Sequence, residues 1–287
     1  MLQSLFRPVL RPIMMGVMSV TGSRRAWTPA ALWPTGTEPG MWIDPSNLTS
    51  QWQDSAGTTP VSTPGTVADS SNPVGLALDL RLGATALTDP GNHLLQATST
   101  ARPLLSAYDG QTLGPGNTYD ATGYPIFQKY DGTDDGMATA SFAAGTLTSD
   151  MDCLIAVRRD AGSNMVIGFH RSAESDQFIA ATGSGAPFPA TRGAGTPTTW
   201  VDGVQVSGGT STSADDLNTA LTVGDWHVLE LRGLDLSAWT DLRFGYYGWA
   251  WDFNGALGGI LLFPGGNTAG RDAARAWLAA KVGVTLP

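Results

Sequence analysis

The sequence predicts an all-β protein: an antiparallel sandwich preceded by an N-terminal arm and followed by one C-terminal helix. Three observations carry that expectation. Of 287 residues, 36 are Gly and 18 are Pro while only 14% are charged, a balance that suits many short strands joined by tight turns. The second half holds at least seven strand-like runs separated by turn signals. About twenty residues from the end, the apolar period becomes helical.

Residues 1–26 stand apart from the rest. They carry Leu2, Leu5, Phe6, Val9, Leu10 and Ile13 beside Arg7, Arg11, Arg24 and Arg25, with no acidic residue. A basic, apolar start invites a signal-peptide reading, but Pro8 and Pro12 interrupt the run. It is also too short and broken to cross a bilayer. The segment reads as an anchoring arm whose Leu5, Phe6, Val9, Leu10 and Ile13 bury against a partner; a strip packed on its own domain is the alternative.

Residues 27–265 form the main domain. Prolines recur throughout 27–105 and forbid a long helix there. NPVGLALDLRLG at 72–83 alternates enough for one strand, and 106–123 is a Gly-rich connection. From 124, YPIFQKYDG sets Ile126, Gln128 and Tyr130 on one face and Phe127 and Lys129 on the other. CLIAVRR at 153–159 and NMVIGFH at 164–170 flank the short connection 160–163 and predict a hairpin. QFIAAT at 177–182 adds a strand. In TWVDGVQV, Asp202-Gly203 supplies the positive φ angles of a two-residue type I′ turn. GDWHVLELRG at 224–233, DLRFGYYGWAWDF at 241–253 and GALGGILLF at 255–263 complete the set. Over 266–287 one helix is predicted, with Thr268 as N-cap, Asp272 in the first turn and Gly283 as the stop. Ala273, Ala276, Trp277 and Ala280 form its apolar stripe, with Lys281 near the end.

Four motifs follow one another in the first half: MWIDPSNL at 41–48, QWQDSAGTTP at 51–60, GNHLLQATSTARP at 91–103 and YDGTDDGMA at 130–138. Later come the V-D-G-V hairpin, the D-W-H-V-L-E-L strand and F-N-G-A-L-G-G-I-L-L-F. In that order they resemble the concanavalin A-like (LamG-type) lectin/glucanase jelly-roll domain of bacteriophage virion structural proteins. The resemblance spans most of residues 40–265. It implies a jelly-roll sandwich, a virion location after synthesis in the host cytoplasm, and a tail, fibre or head-surface role. It also implies other virion proteins as partners of the arm and host-surface polysaccharide as a ligand. The other reading it leaves open is a free carbohydrate-binding protein or glycoside hydrolase of the same fold.

Composition narrows the chemistry. A formal charge of −9 argues against nucleic acid, which needs a basic footprint. Cys153 is the single cysteine, so no intrachain disulfide or thiolate metal cluster can form; it reads as a small buried apolar residue of a chain made in a reducing cytosol. A glycosidase of this fold takes its two carboxylates from an E-x-D-x-x-E strand. The three glutamates here, Glu38, Glu174 and Glu230, sit in no such pattern, so no catalytic residue is assigned. His93, His170 and His227 have no metal-ligand spacing, and no G-x-S-x-G elbow is present.

Two candidate patches remain. D-G-T-D-D-G at 131–136 starts like an EF-hand loop, making Asp131, Asp134 and Asp135 candidate Ca2+ ligands. Phe142 stands where the bidentate acid belongs, and the aspartates serve equally to make turns, so no cofactor is required. YYGWAWDFNG at 246–255 offers Tyr246, Trp249, Trp251, Asp252 and Asn254 as a glycan surface. Yet Tyr247, Trp249, Trp251 and Phe253 share one strand face, which also reads as core or subunit interface. A lightly charged surface, ten tryptophans and an apolar arm predict a closed homo-oligomer, a trimer or ring.

Overall fold

The computed structural model describes residues 27–61, 65–66, 72–108, 125–160, 165–170, 177–182, 191–192, 194–206, 214–245 and 253–287. The arm residues and the run 246–252 lie outside them, and so does nearly all of the Gly-rich connection.

In chain order the strands are β1 (Met41–Ile43), β2 (Gln51–Trp52), β3 (Gly65–Thr66), β4 (Leu76–Ala77), β5 (Leu94–Leu95) and β6 (Leu104–Tyr108). There follow β7 (Phe127–Asp131), β8 (Met137–Thr139), β9 (Met151–Arg159), β10 (Met165–His170), β11 (Gln177–Thr182) and β12 (Thr191–Arg192). The last are β13 (Thr198–Val201), β14 (Val204–Gln205), β15 (Trp226–Leu234), β16 (Arg243–Phe244) and β17 (Asn254–Pro264). Two α-helices, α1 (Ala214–Ala220) and α2 (Thr268–Val282), and four short 3-10 turns complete the described elements. One sheet runs β14-β13-β15-β9-β17-β7-β6-β3, with β1 also on β17; the other runs β12-β11-β10-β16-β8-β5-β4-β2. Among the described strand pairs only β3 with β6 is parallel. The protein is therefore mostly β, built of antiparallel sheets and closed by a C-terminal helix.

Alternation along the long strands sorts the chain into two apolar layers. Cys153, Ile155 and Val157 of β9, with Leu229 and Leu231 of β15, face the second sheet and meet Phe169, Phe244 and Met137 there. The intervening Leu154, Ala156, Trp226 and Val228 face outward and are covered by Ala274, Leu278 and Val282 of α2. The alternation expected for 124–132 holds: Tyr130 lies in the inner layer and Phe127 in the outer one. Cys153 is free and fully buried, and burial pushes its thiol pKa well up. The inner layer also holds a polar chain in which Tyr130 Oη donates to Gln128 Oε1 (3.0 Å) and Gln128 Nε2 to Gln51 Oε1 (2.8 Å).

Several expectations change. The runs 153–159 and 164–170 do not form a hairpin. β9 pairs with β15 and β17, β10 pairs with β11 and β16, and the chain crosses between sheets in the intervening connection. Both edges of β9 are filled by long strands from the end of the chain, so none is left for its neighbour in sequence. The single strand expected over 72–83 shrinks to β4, because Asp79 caps a 3-10 turn at Leu80–Leu82 by accepting from Arg81 N–H. The V-D-G-V turn forms as expected, with φ of 51° at Asp202 and 83° at Gly203. The short helix α1 was not anticipated.

α2 starts one residue earlier than expected, since Asn267 accepts from Gly270 N–H and acts as the N-cap, while Gly283 ends it in the left-handed region. Its buried residues are Ala274, Leu278, Ala279, Lys281 and Val282; Ala276 and Ala280 are exposed. Lys281 reaches back to the first motif. Its Nζ bonds Asp44 Oδ1 and lies 2.6 Å from Ser46 Oγ, while Ser46 Oγ donates to Asp44 (2.6 Å). Burial pushes the Lys281 ammonium pKa down and Asp44 opposes it. The second motif is a self-contained turn. Asp54 accepts from the N–H groups of Ala56, Thr58 and Thr59 at 2.7–3.1 Å, and these bonds outweigh desolvation to bring its pKa to about 2.

Candidate functional site

The site forms where β7 ends beside the start of β17. Asp131 and Asn254 are partners across the two strands. Beyond Asp131 the chain turns sharply: Thr133 N–H donates to Asp131 Oδ1 (2.7 Å) and Asp131 N–H donates to Asp135 Oδ2 (2.8 Å). This brings carboxylate oxygens of Asp131, Asp134 and Asp135 within 4.8 Å of one another. Asp135 is buried, and desolvation, reinforced by Asp131 and Asp134 against the bond from Asp131 N–H, raises its pKa to about 7. Hard oxygen donors in this arrangement suit Ca2+ among the common cations, although three carboxylates fill only part of its shell of six to eight oxygens.

The residues that flank the aromatic run, Gly245 and Phe253, lie at the same place. Gly245 lies over the Tyr130 ring with φ +95°, and a Cβ there would stand 2.6 Å from the ring and 2.9 Å from the Asp135 carbonyl. Phe253 N–H donates to Gly245 O (2.7 Å), closing the base of the run against the acidic turn. Phe253 itself is core, in ring contact with Tyr130 and Phe244 at centroid distances of 5.3 and 5.6 Å. The two candidate patches, more than a hundred residues apart in sequence, are thus neighbours at their bases. Tyr246, Trp249, Trp251 and Asp252 lie outside the described residues. Asn254 is engaged: its Oδ1 accepts from Lys129 Nζ (3.1 Å), which also bonds Asp160 (2.7 Å), itself held by Arg158 (2.7 Å).

The Asp135 environment makes a pH prediction. A carboxyl whose folded pKa is raised stabilises the fold fully below its unfolded value near 3.8 and loses that contribution as pH rises through about 7. Melting temperature is therefore expected to carry a component that falls between about pH 4 and 7 and is absent in Asp135→Asn. A variant with an unchanged slope would refute the assignment. Millimolar calcium at pH 7.5 is expected to leave the melting temperature unchanged, as a turn held by backbone bonds requires; a rise would make the turn a cation site.

His93 and His227 are struts. His93 Nδ1 accepts from Asp79 N–H (2.9 Å), so Nε2 carries the proton and meets the Asp89 carbonyl at 3.0 Å. Asp79 in turn accepts from the N–H groups of Trp42, Arg81 and Asn92, at 2.9, 3.0 and 2.9 Å, tying the G-N-H motif to the first strand. His227 lies between Asp202 Oδ2 (2.7 Å from Nδ1) and Thr222 Oγ1 (3.0 Å from Nε2), the spacing of a nucleophile triad. The chemistry does not follow. Thr222 Oγ1 donates to Asp225 (2.7 Å), and Thr222 N–H occupies Nε2 (3.1 Å). The cluster pins the hairpin tip and the 222–225 loop to β15. The side chain of His170 lies outside the described residues.

Glu230 is buried and hydrogen-bonded. It is 0% exposed, and its oxygens are taken by guanidiniums: Arg232 Nε bonds Oε1, Arg275 Nε donates to Oε2 (2.8 Å) and Arg271 Nε lies 3.3 Å from Oε1. Arg271 Nη1 also donates to Asp152 Oδ2 (2.8 Å), and Arg232 stacks on Trp200 at 3.7 Å. A carboxylate so held has no position for a sugar bond. Sequence reasoning missed this cluster, although Arg271 and Arg275 stand four apart on a helix and so share a face. Comparison with protein-family models, curated proteins and solved structures finds no match.

Proposed function

We propose that the chain is a non-enzymatic structural protein of a bacteriophage virion, presenting a concanavalin A-like jelly-roll module to host-surface polysaccharide. The supporting observation is that the first, second and third motifs of the resemblance are framework residues. Asp44 and Ser46 dock the C-terminal helix, Asp54 builds a turn, and Asp79 with His93 ties the third motif to the first strand. Motifs that hold a fold together mark a shared framework more firmly than an activity. The glycan surface in this reading is the 246–252 run with Asn254, next to the Asp131–Asp135 turn, and the arm attaches the module to the particle.

Arm deletion tests the reading. A chain of residues 27–287 is expected to fold, with the full-length melting behaviour, yet to be missing from purified particles that take up the full-length chain. Normal incorporation of the truncated chain would refute the arm's role. Absence of the full-length chain from particles would refute the virion assignment.

A further inference from the structure

We propose that the N-terminal arm of one copy docks in an acidic, apolar-walled groove at the β13–β14 edge of a second copy. The proposal rests on the arm reading above and names the surface the arm meets. β14 is the terminal strand of its sheet. Val204 on it is 59% exposed, and Val223, on the loop after α1, is 48% exposed; Leu82 at 36% is the third exposed large apolar residue among those described. Between the hairpin and α1 lies a groove of about 480 Å³ with apolar walls of Val201, Val204, Val206 and Ala220. Its charged lining residues are Asp202 and Asp216, both acidic. Across Asp202 a second hollow of about 300 Å³ opens between Trp226 and the end of α2, and there the further charged residue is Asp225. Among the described residues no basic side chain lines either hollow, and the carbonyl end of α2 adds negative partial charge.

The arm carries the complementary chemistry. Its charges are Arg7, Arg11, Arg24 and Arg25, with no acid among them. Phe6, Val9, Leu10 and Ile13 interleave with Arg7 and Arg11, which pairs apolar contact with charge along one short stretch. Pro8 and Pro12 disfavour a helix, and an extended segment fits a groove beside an edge strand. Fully extended, the 26 residues reach about 80 Å. That greatly exceeds the roughly 18 Å radius of gyration expected of the remaining domain, so a neighbouring copy is within range. Passing each arm to the next copy is a head-to-tail contact, the kind that forms a ring when the rotation between copies closes.

The test uses full-length chains. Sedimentation in about 0.1 M salt is expected to show an oligomer that weakens with added salt. Arg7→Glu with Arg11→Glu should weaken association at least tenfold, as should Asp216→Lys with Asp225→Lys. Asp216 and Asp225 are both exposed, so the fold should survive, which a thermal melt verifies. Mixing the two charge-reversed chains should restore association. As a second readout, Val9→Cys on one tagged chain and Thr219→Cys on another should form an interchain disulfide; Cys153, being buried, stays out of the reaction. A crosslink only within a doubly substituted single chain would overturn the exchange between copies. An oligomer indifferent to both reversals would overturn the groove, while particle uptake of the same variants separately tests whether the arm anchors the module.

Discussion

Replacing Glu230 with glutamine is expected to destabilise the protein by about 3–5 kcal/mol, a fall in melting temperature of roughly 10 °C. The magnitude follows from what remains. Removing the one carboxylate shared by Arg232, Arg271 and Arg275 leaves three guanidiniums crowded between β15 and α2 with their common counter-charge gone. Arg271 keeps Asp152 and Arg275 keeps Asp272, so the helix should stay attached but loosened. Arg275→Gln should cost less, because Glu230 then retains two partners. Calorimetry of the two variants checks the order; equal or negligible shifts would mean the cluster does not hold the helix. Wild type and Glu230→Gln alike are expected to release no reducing ends from bacterial capsule, lipopolysaccharide or β-glucan. Release that disappears in the variant would make Glu230 catalytic.

The second large effect concerns Lys281 and Asp44. Asp44→Ala strands a buried ammonium, and a loss of about 3–5 kcal/mol is expected. Lys281→Met leaves Asp44 with the Ser46 hydroxyl and N–H, so the loss should be smaller. The double variant, Asp44→Ala with Lys281→Met, should recover most of the stability, because an apolar side chain in that seat needs no counter-charge. A double-mutant cycle reads the coupling directly. Additive losses would show that the two side chains do not act as a pair.

How far the sequence could be read depends on the distance over which each interaction acts. Local chemistry was legible: the Asp202-Gly203 turn, the alternation through Phe127 and Tyr130 and the Gly283 stop all form as expected, and the described residues of 27–105 hold no long helix. Strand partnership was not. The largely apolar runs of β9 and β10 look alike and lie close in sequence, and nothing local says that they belong to different sheets. The same limit hid the charged clusters. Lys281 reads as a helix-end cation complementing the dipole until the fold brings Asp44 to it across more than two hundred residues. In the candidate site the acidic turn was legible from D-G-T-D-D-G. Its contact with the base of the aromatic run depends on the pairing of Asp131 with Asn254.

The crossing of the chain between sheets after β9 has a consequence in time. β9 is buried along its whole length, yet both partners come later: β15 begins at Trp226 and β17 ends at Pro264. At a synthesis rate of about 5–20 residues per second, roughly a hundred residues take some 5–20 s to follow it off the ribosome. Until β15 emerges, Met151–Arg159 is a largely apolar strand with two open edges, and one edge stays open until β17 follows. The centre of the finished sheet is thus a largely buried stretch that leaves the ribosome before either of its neighbours and needs shielding while it waits.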